Sequence, residues 1–169
     1  MNAAELSAVQ TPIKEKYKND PRAAMLTLHA QGKLGEGLTC TVAIEKAQVE
    51  TGLHPAAGGR DGAFSPGTLL LDALVACVGV TLRAVSTYMG LVIRSGTIRA
   101  EGELDLRGTL GVAEGVPIGF QRIKANVELD TDASEEQLKT LLGLVEKYAV
   151  VFQTLIHSPQ LSVSCRKKR

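Results

Sequence analysis

Leu26, Leu28 and Ala30 alternate with Thr27, His29 and Gln31, and Leu38, Cys40, Val42 and Ile44 alternate with Thr39, Thr41 and Ala43. A period of two marks a strand with one buried face. The pattern predicts two strands, with the glycine-containing run 32–37 as their hairpin connection. Two longer alternations follow. Ile98, Ala100, Gly102, Leu104 and Leu106 interleave with Thr97, Arg99, Glu101, Glu103, Asp105 and Arg107. Ile123, Ala125, Val127 and Leu129 interleave with Lys124, Asn126 and Glu128. Both read as half-buried antiparallel strands around a glycine-rich loop, 108–119. Leu161, Val163 and Cys165, alternating with Ser162 and Ser164, predict a last strand.

The helical signals are of a different period. Thr11-Pro12 predicts a short helix to about residue 18, stopped by Asn19-Asp20-Pro21. Ser65-Pro66 starts the main helix and Gly90 ends it. Leu69, Leu70, Leu71, Leu74, Val75, Val78, Val80 and Leu82 surround that helix on all sides. Such a helix is expected to be buried all round, and a chain of 169 residues can hardly cover it alone, so a second copy is expected. Ser134-Glu135-Glu136-Gln137 fits a capping box, followed by Leu138, Leu141, Leu142, Val145 and Tyr148 on one face and a short helix over 149–156. Residues 51–62, rich in Gly and Pro, read as a loop. The order predicts one α+β domain over 21–169, preceded by an N-terminal helical extension over 1–20.

Composition narrows the function classes. Hydrophobic residues make up 44% and charged residues 22%, as in ordinary soluble domains, and the net charge is +1. That charge gives no electrostatic case for nucleic acid or a membrane surface, and the basic tail 166–169 reads as a solvated end. The first residues do not resemble a secretory signal. The apolar stretch 69–82, holding Asp72 and ending at Arg83, is taken as too short and too charged to span a bilayer. The expected location is cytoplasmic, where Cys40, Cys77 and Cys165 stay reduced. Cys40 and Cys165 fall on the apolar phase of their strands and read as core residues. Cys77 lies mid-helix, with an inert core thiol and a reactive one both open. Asp72 interrupts the same helix. Arg83 is eleven residues on, about 16 Å along the axis, so a structural ion pair with a group elsewhere or on the second subunit is the preferred reading, over a catalytic acid. His29, His54 and His157 show no metal-ligand spacing and read as surface residues. Gly58-Gly59-Arg60-Asp61-Gly62 lacks both the preceding strand and the lysine of a nucleotide cradle. No resident cofactor or metal is expected.

The run Ser65-Pro66-Gly67-Thr68-Leu69-Leu70-Leu71-Asp72-Ala73-Leu74-Val75-Ala76-Cys77 resembles the helix signature of the OsmC/Ohr family. The segment Glu146-Lys147-Tyr148-Ala149-Val150-Val151-Phe152-Gln153-Thr154-Leu155 and the terminal Leu161-Ser162-Val163 are similar to two further family segments. The resemblance spans roughly residues 20–165. It implies an OsmC-like α+β fold: antiparallel sheet, a long buried central helix, and an intertwined homodimer with its sites at the interface. It also implies thiol-dependent reduction of hydroperoxides, an antioxidant role in oxidative stress, with Cys77 as the attacking thiol and an external thiol or dithiol as reductant. Two positions depart from the family. Its resolving cysteine is Ala149 here, and the glutamate after the helix-starting proline is Gly67. The family's active-site arginine has no unique counterpart: Lys33 occupies the comparable hairpin, with Arg22 and Arg60 as other candidates. Lysine lacks the arginine fork. Ala149, Gly67, Lys33 and Asp72 are therefore the expected site-lining positions. The departures imply a one-cysteine or weakened peroxidase, and leave as the alternative a non-catalytic member that binds an apolar small molecule at the dimer interface.

Overall fold

A computed structural model describes residues 2–34, 39–44, 47–60, 62 and 64–167, with the backbone alone at Lys33, Leu34, Thr39 and Ala43. The chain begins with α1 (Ala3–Asn19). This helix starts well before the Thr11-Pro12 signal. Asn2 and Glu5 form a capping box, and Pro12 lies inside the helix. The box satisfies orphan N–H groups at the first turn, so the Thr-Pro pair is passed rather than used as a start. A 3₁₀ turn, Pro21–Ala24, follows. Residues 25–31 form no regular element, and Met25, Leu26 and Leu28 are exposed. The strand predicted there pairs with no neighbour among the described residues.

Sheet one is antiparallel, in the order β1 (Gly32–Leu34), β2 (Thr39–Ile44), β3 (Ala47–Gly52). The expected connection thus opens with a strand, since Gly32–Leu34 pairs with Cys40–Val42. Leu38 and the remainder of that hairpin lie outside the described residues. β3 was expected in part as loop; Val49 is its one large aliphatic residue, too little to show a period. Its end is fixed by the buried Thr51, whose hydroxyl donates to the Cys40 carbonyl at 2.8 Å, and by a bridge to Phe64. This sheet packs substantially on no helix of its own chain.

The second layer carries the core. α2 (Pro66–Tyr88) runs for 23 residues, with Gly90 at φ +67 just after it. β4 (Ile93–Leu104) and β5 (Phe120–Thr131) form a hairpin against α2. Beyond Leu104 the predicted strand stops, because the Asp105 side chain accepts from the Arg107 N–H and opens the short α3 (Leu106–Thr109). α4 (Glu135–Tyr148) has the expected capping box from Ser134 and Gln137. α5 (Val150–Ile156) follows directly. Leu74, Val78, Leu82, Ile93, Leu141 and Val145 form the core. Residues 158–167 are exposed and form no strand, with Leu161 at 88% and Val163 at 101% of full exposure.

α2 buries only one stripe, Leu74, Val78, Leu82 and Ser86. By length and composition it is apolar enough to cross a membrane, with mean hydropathy 1.9 over its most apolar window and 17% of that window buried. The helix is longer than the stretch 69–82 read from the sequence, and the core helix of a soluble protein has the same length and composition. The exposed area of the single chain is 13430 Å². A compact monomer of 17.9 kDa would expose about 8,000 Å².

Candidate functional site

Cys77 is half-buried on α2, one residue before the core residue Val78. Its sulfur accepts a hydrogen bond from the Val151 backbone N–H at 3.4 Å. The first N–H groups of a helix have no partner within it, and Val151 stands in the first turn of α5. Ala149, the N-cap of α5, gives no side-chain cap, because a methyl group accepts nothing. The Cys77 sulfur does that work from the neighbouring helix. Val151 is the hydrogen-bond partner of Sγ among the described residues.

Ala149 is fully buried, at 0% exposure, and joins α4 to α5. Its N–H donates to the Val145 carbonyl and its carbonyl accepts from the Gln153 N–H, both at 2.9 Å. The structure therefore brings the α4–α5 junction to Cys77, two of the positions singled out in the sequence. It does not bring the others there. Gly67 lies in the first turn of α2, ten residues earlier, about 15 Å along the axis. Its position is under the ring of Phe120: a Cβ at Gly67 would lie 3.3 Å from Phe120 Cζ.

Asp72 is exposed and has no ion pair among the described residues. The expected ion pair is thus not made among the described residues of one chain, and a group of a second copy is the partner that expectation leaves. Arg83 instead donates to the Ile93 carbonyl at 2.8 Å, tying α2 to the start of β4. Lys33 pairs through its backbone with Thr41, and its side chain lies outside the described residues. Arg22 and Arg60 are exposed, and neither side chain has a partner among the described residues. Cys40 is half-buried. Cys165 is exposed, contrary to the core reading, because the strand that would have buried it does not form. His29, His54 and His157 are exposed. Among the described residues no cluster of His, Cys, Asp and Glu could hold a metal.

Two cavities reach α2 within one turn of Cys77, at Leu74 on one side and Val80 on the other, without Cys77 in their linings. One of about 390 Å³ lies between α2, β5 and α5 and is lined by Leu70, Leu74, Phe152 and Leu155, with Arg122 on its β5 side. The other, about 610 Å³, runs along α2 past Val80 and Val85 and is bounded by Lys14 of α1 and Tyr148 of α4. Sequence reasoning missed Val151 and Phe120. A backbone donor leaves no trace in residue type, and Phe120 lies just outside the alternation read for β5.

A protein-family model described as OsmC-like protein matches residues 58–164. A search of the curated proteins found no match. Among solved structures, an OsmC-like protein from Mycoplasma pneumoniae is 20% identical, with a TM-score of 0.66, over 79% of this chain and 89% of that one. An organic hydroperoxide resistance protein OsmC from Legionella pneumophila is 15% identical, with a TM-score of 0.61, over 78% and 90%. An organic hydroperoxide resistance protein from Elizabethkingia anophelis, with thiocyanate bound, is 16% identical, with a TM-score of 0.61, over 77% and 91%. At these identities the likeness establishes the fold, an OsmC-like α+β arrangement of small antiparallel sheets and helices.

Proposed function

The chain belongs to the OsmC-like protein family, and from that premise we propose that it reduces organic hydroperoxides through Cys77, as a one-cysteine enzyme working in a cytoplasmic homodimer. The observation that carries this reading is the position of Cys77 against the α4–α5 junction, where Sγ meets the Val151 N–H at 3.4 Å and the family's second cysteine is Ala149. The Cys77 thiolate attacks one oxygen of the peroxide. The O–O bond breaks, the alcohol leaves, and the sulfur becomes a sulfenic acid. Within α4–α5, Ala149 offers no thiol to condense with it. An external thiol therefore displaces water to form a mixed disulfide, and a second thiol releases Cys77 and carries away the disulfide. The sum is one peroxide and two thiols converted to alcohol, water and one disulfide.

The homodimer rests on area. The single chain exposes about 5,400 Å² more than a compact monomer of its mass, which is ample area for an obligate dimer interface of about 2,000–5,000 Å² counted over both partners. The uncovered faces of α2, the sheet β1–β3, and the apolar segments 25–31 and 158–167 are the surfaces a second copy would cover.

Reduced protein is mixed with an organic hydroperoxide or with hydrogen peroxide, and oxidation is followed by intact mass. The expected result is rapid oxidation at Cys77 that Cys77→Ser abolishes, with the organic peroxide preferred. Ala149→Cys is expected to convert the sulfenic acid into a disulfide between the new thiol and Cys77. Oxidation no faster than that of an ordinary thiol would sink peroxide reduction. It would favour the second reading, a family member that binds an apolar small molecule at the dimer interface without turnover. One observation supports that alternative: the Sγ contact already caps α5, a structural task for the sulfur.

A further inference from the structure

β5 contains a reversal that its alternation does not predict. Ile123, Ala125, Val127 and Leu129 are its half-buried positions. Continued backwards, that period places Gln121 on the inner face and Phe120 outside with Arg122. The pairing register runs Ile123 to Gly102, Arg122 to Glu103, then Phe120 to Leu104, with an irregularity between Glu103 and Leu104. Two residues of β5 thus oppose one step of β4, and Gln121 is the extra one. Gln121 and Arg122 are both exposed, and Phe120 is half-buried. A bulge of this kind re-aims a side chain, and here it turns Phe120 inward.

The inward ring has a seat made by two glycines. A Cβ at Gly102 would lie 2.6 Å from Phe120 Cε1, and one at Gly67 would lie 3.3 Å from Cζ. The ring is a wall common to two cavities. One is the cavity of about 390 Å³ between α2, β5 and α5, which reaches Leu74 one turn before Cys77. The other, about 310 Å³, lies at the start of α2 and is lined by His54, Ser65, Thr68, Leu71 and Leu104. Each alone is near the lower end of small-molecule sites, about 300–1,000 Å³.

We propose that Phe120 is the specificity-determining residue of this site: its ring walls the cavity that reaches Leu74, one turn before Cys77, and so limits the length of unbranched aliphatic chain that the protein accepts. The inference rests on that cavity being the seat of the peroxide's apolar part. Gly67 takes on a role in this arrangement, since its missing side chain leaves space for the ring.

The test is a titration of the full chain with primary alcohols of increasing length, which resemble the product and do not oxidise a thiol. In the unsubstituted protein, affinity is expected to rise with chain length and then level off. In Phe120→Ala the rise continues through further methylenes, each tightening binding about fourfold. Adding Leu71→Phe, which fills the far cavity, returns the levelling to its original length. Phe120→Leu extends the rise in the same direction by less, and serves if the alanine variant does not hold its fold. Levelling at the same length in all variants overturns the proposal, as does binding in the unsubstituted protein that ignores chain length. Inertness of Cys77 toward tert-butyl hydroperoxide would count against peroxide reduction alone, because the alcohol series needs no reaction at sulfur.

Discussion

The two faces of α2 are made of the same residue types and meet different fates. On one face Leu74, Val78 and Leu82 are buried at 2–4% exposure against β4 and α4, with Leu141 and Val145 above them. On another, Val80 is 73% exposed and Leu70 is 38% exposed. Nothing in composition separates the faces. What separates them is the amphipathic α4, whose apolar stripe can cover only one side. The same division recurs among the strands. β4 and β5 find each other through a hairpin, whereas residues 25–31 and 158–167 carry a similar alternation and find no partner. Within one chain the apolar pattern is oversupplied relative to the surfaces available to receive it.

The sharpest way to break this comparison is to damage each face in turn. Leu141→Ala removes a side chain with no exposure from the covered face, and is expected to destabilise the fold by about 2–5 kcal/mol, read from denaturant unfolding at fixed protein concentration. Val80→Asp places a charge on the uncovered face. It is expected to change the stability of the separated chain by no more than about 0.5 kcal/mol, but to weaken self-association more than tenfold, because a second copy would have to bury an unpaired carboxylate. Sedimentation across a concentration series reads this directly. If Val80→Asp associates as the unsubstituted protein does, that face is not where a second copy packs.

The covered elements were legible in the sequence because their signals are local. Ser65-Pro66 and Gly90 bound α2, and the Ser134 box opens α4. The unread parts depend on distant or backbone features. β3 has too few apolar residues to show a period, and its pairing is fixed by β2. The start of α1 lay in a capping box at Asn2 and Glu5 that went unread beside the Thr-Pro signal. Leu161 and Val163 have the alternation of a strand, but pairing needs a neighbour that the described residues of one chain do not supply. Cys77 stood out through its family motif, since its spacing alone favours an inert core thiol. The donor at its sulfur is a main-chain N–H, and Phe120 is turned by a one-residue bulge. Neither can be read from residue type.

The smallest expected effect lies at the far end of the β4–β5 hairpin. Arg94 bridges Asp130 and Asp132, each at 2.6 Å, next to the register shift at Ile93 and Ser95. Its hydrogen bond holds the Asp132 carboxyl below the ordinary value of 3.8, and the Arg107 hydrogen bond does the same for Asp105. A carboxyl with a lowered folded-state pKa contributes stability at pH above its ordinary value and loses it as pH falls through the lowered one. The groups are exposed, so water and salt screen the contribution. Arg94→Met is therefore expected to lower the unfolding midpoint slightly and by a constant amount from neutral pH to about pH 5. The difference should shrink on further acidification and disappear in strong acid, once Asp132 is protonated in both proteins. Thermal unfolding of the pair across pH, repeated at high salt, checks this. Because Arg94 touches neither Cys77 nor the α4–α5 junction, the rate of Cys77 oxidation should not change. A fall in that rate would mean that the end of the hairpin is coupled to the thiol, and that the core face of α2 is less rigid than its burial implies.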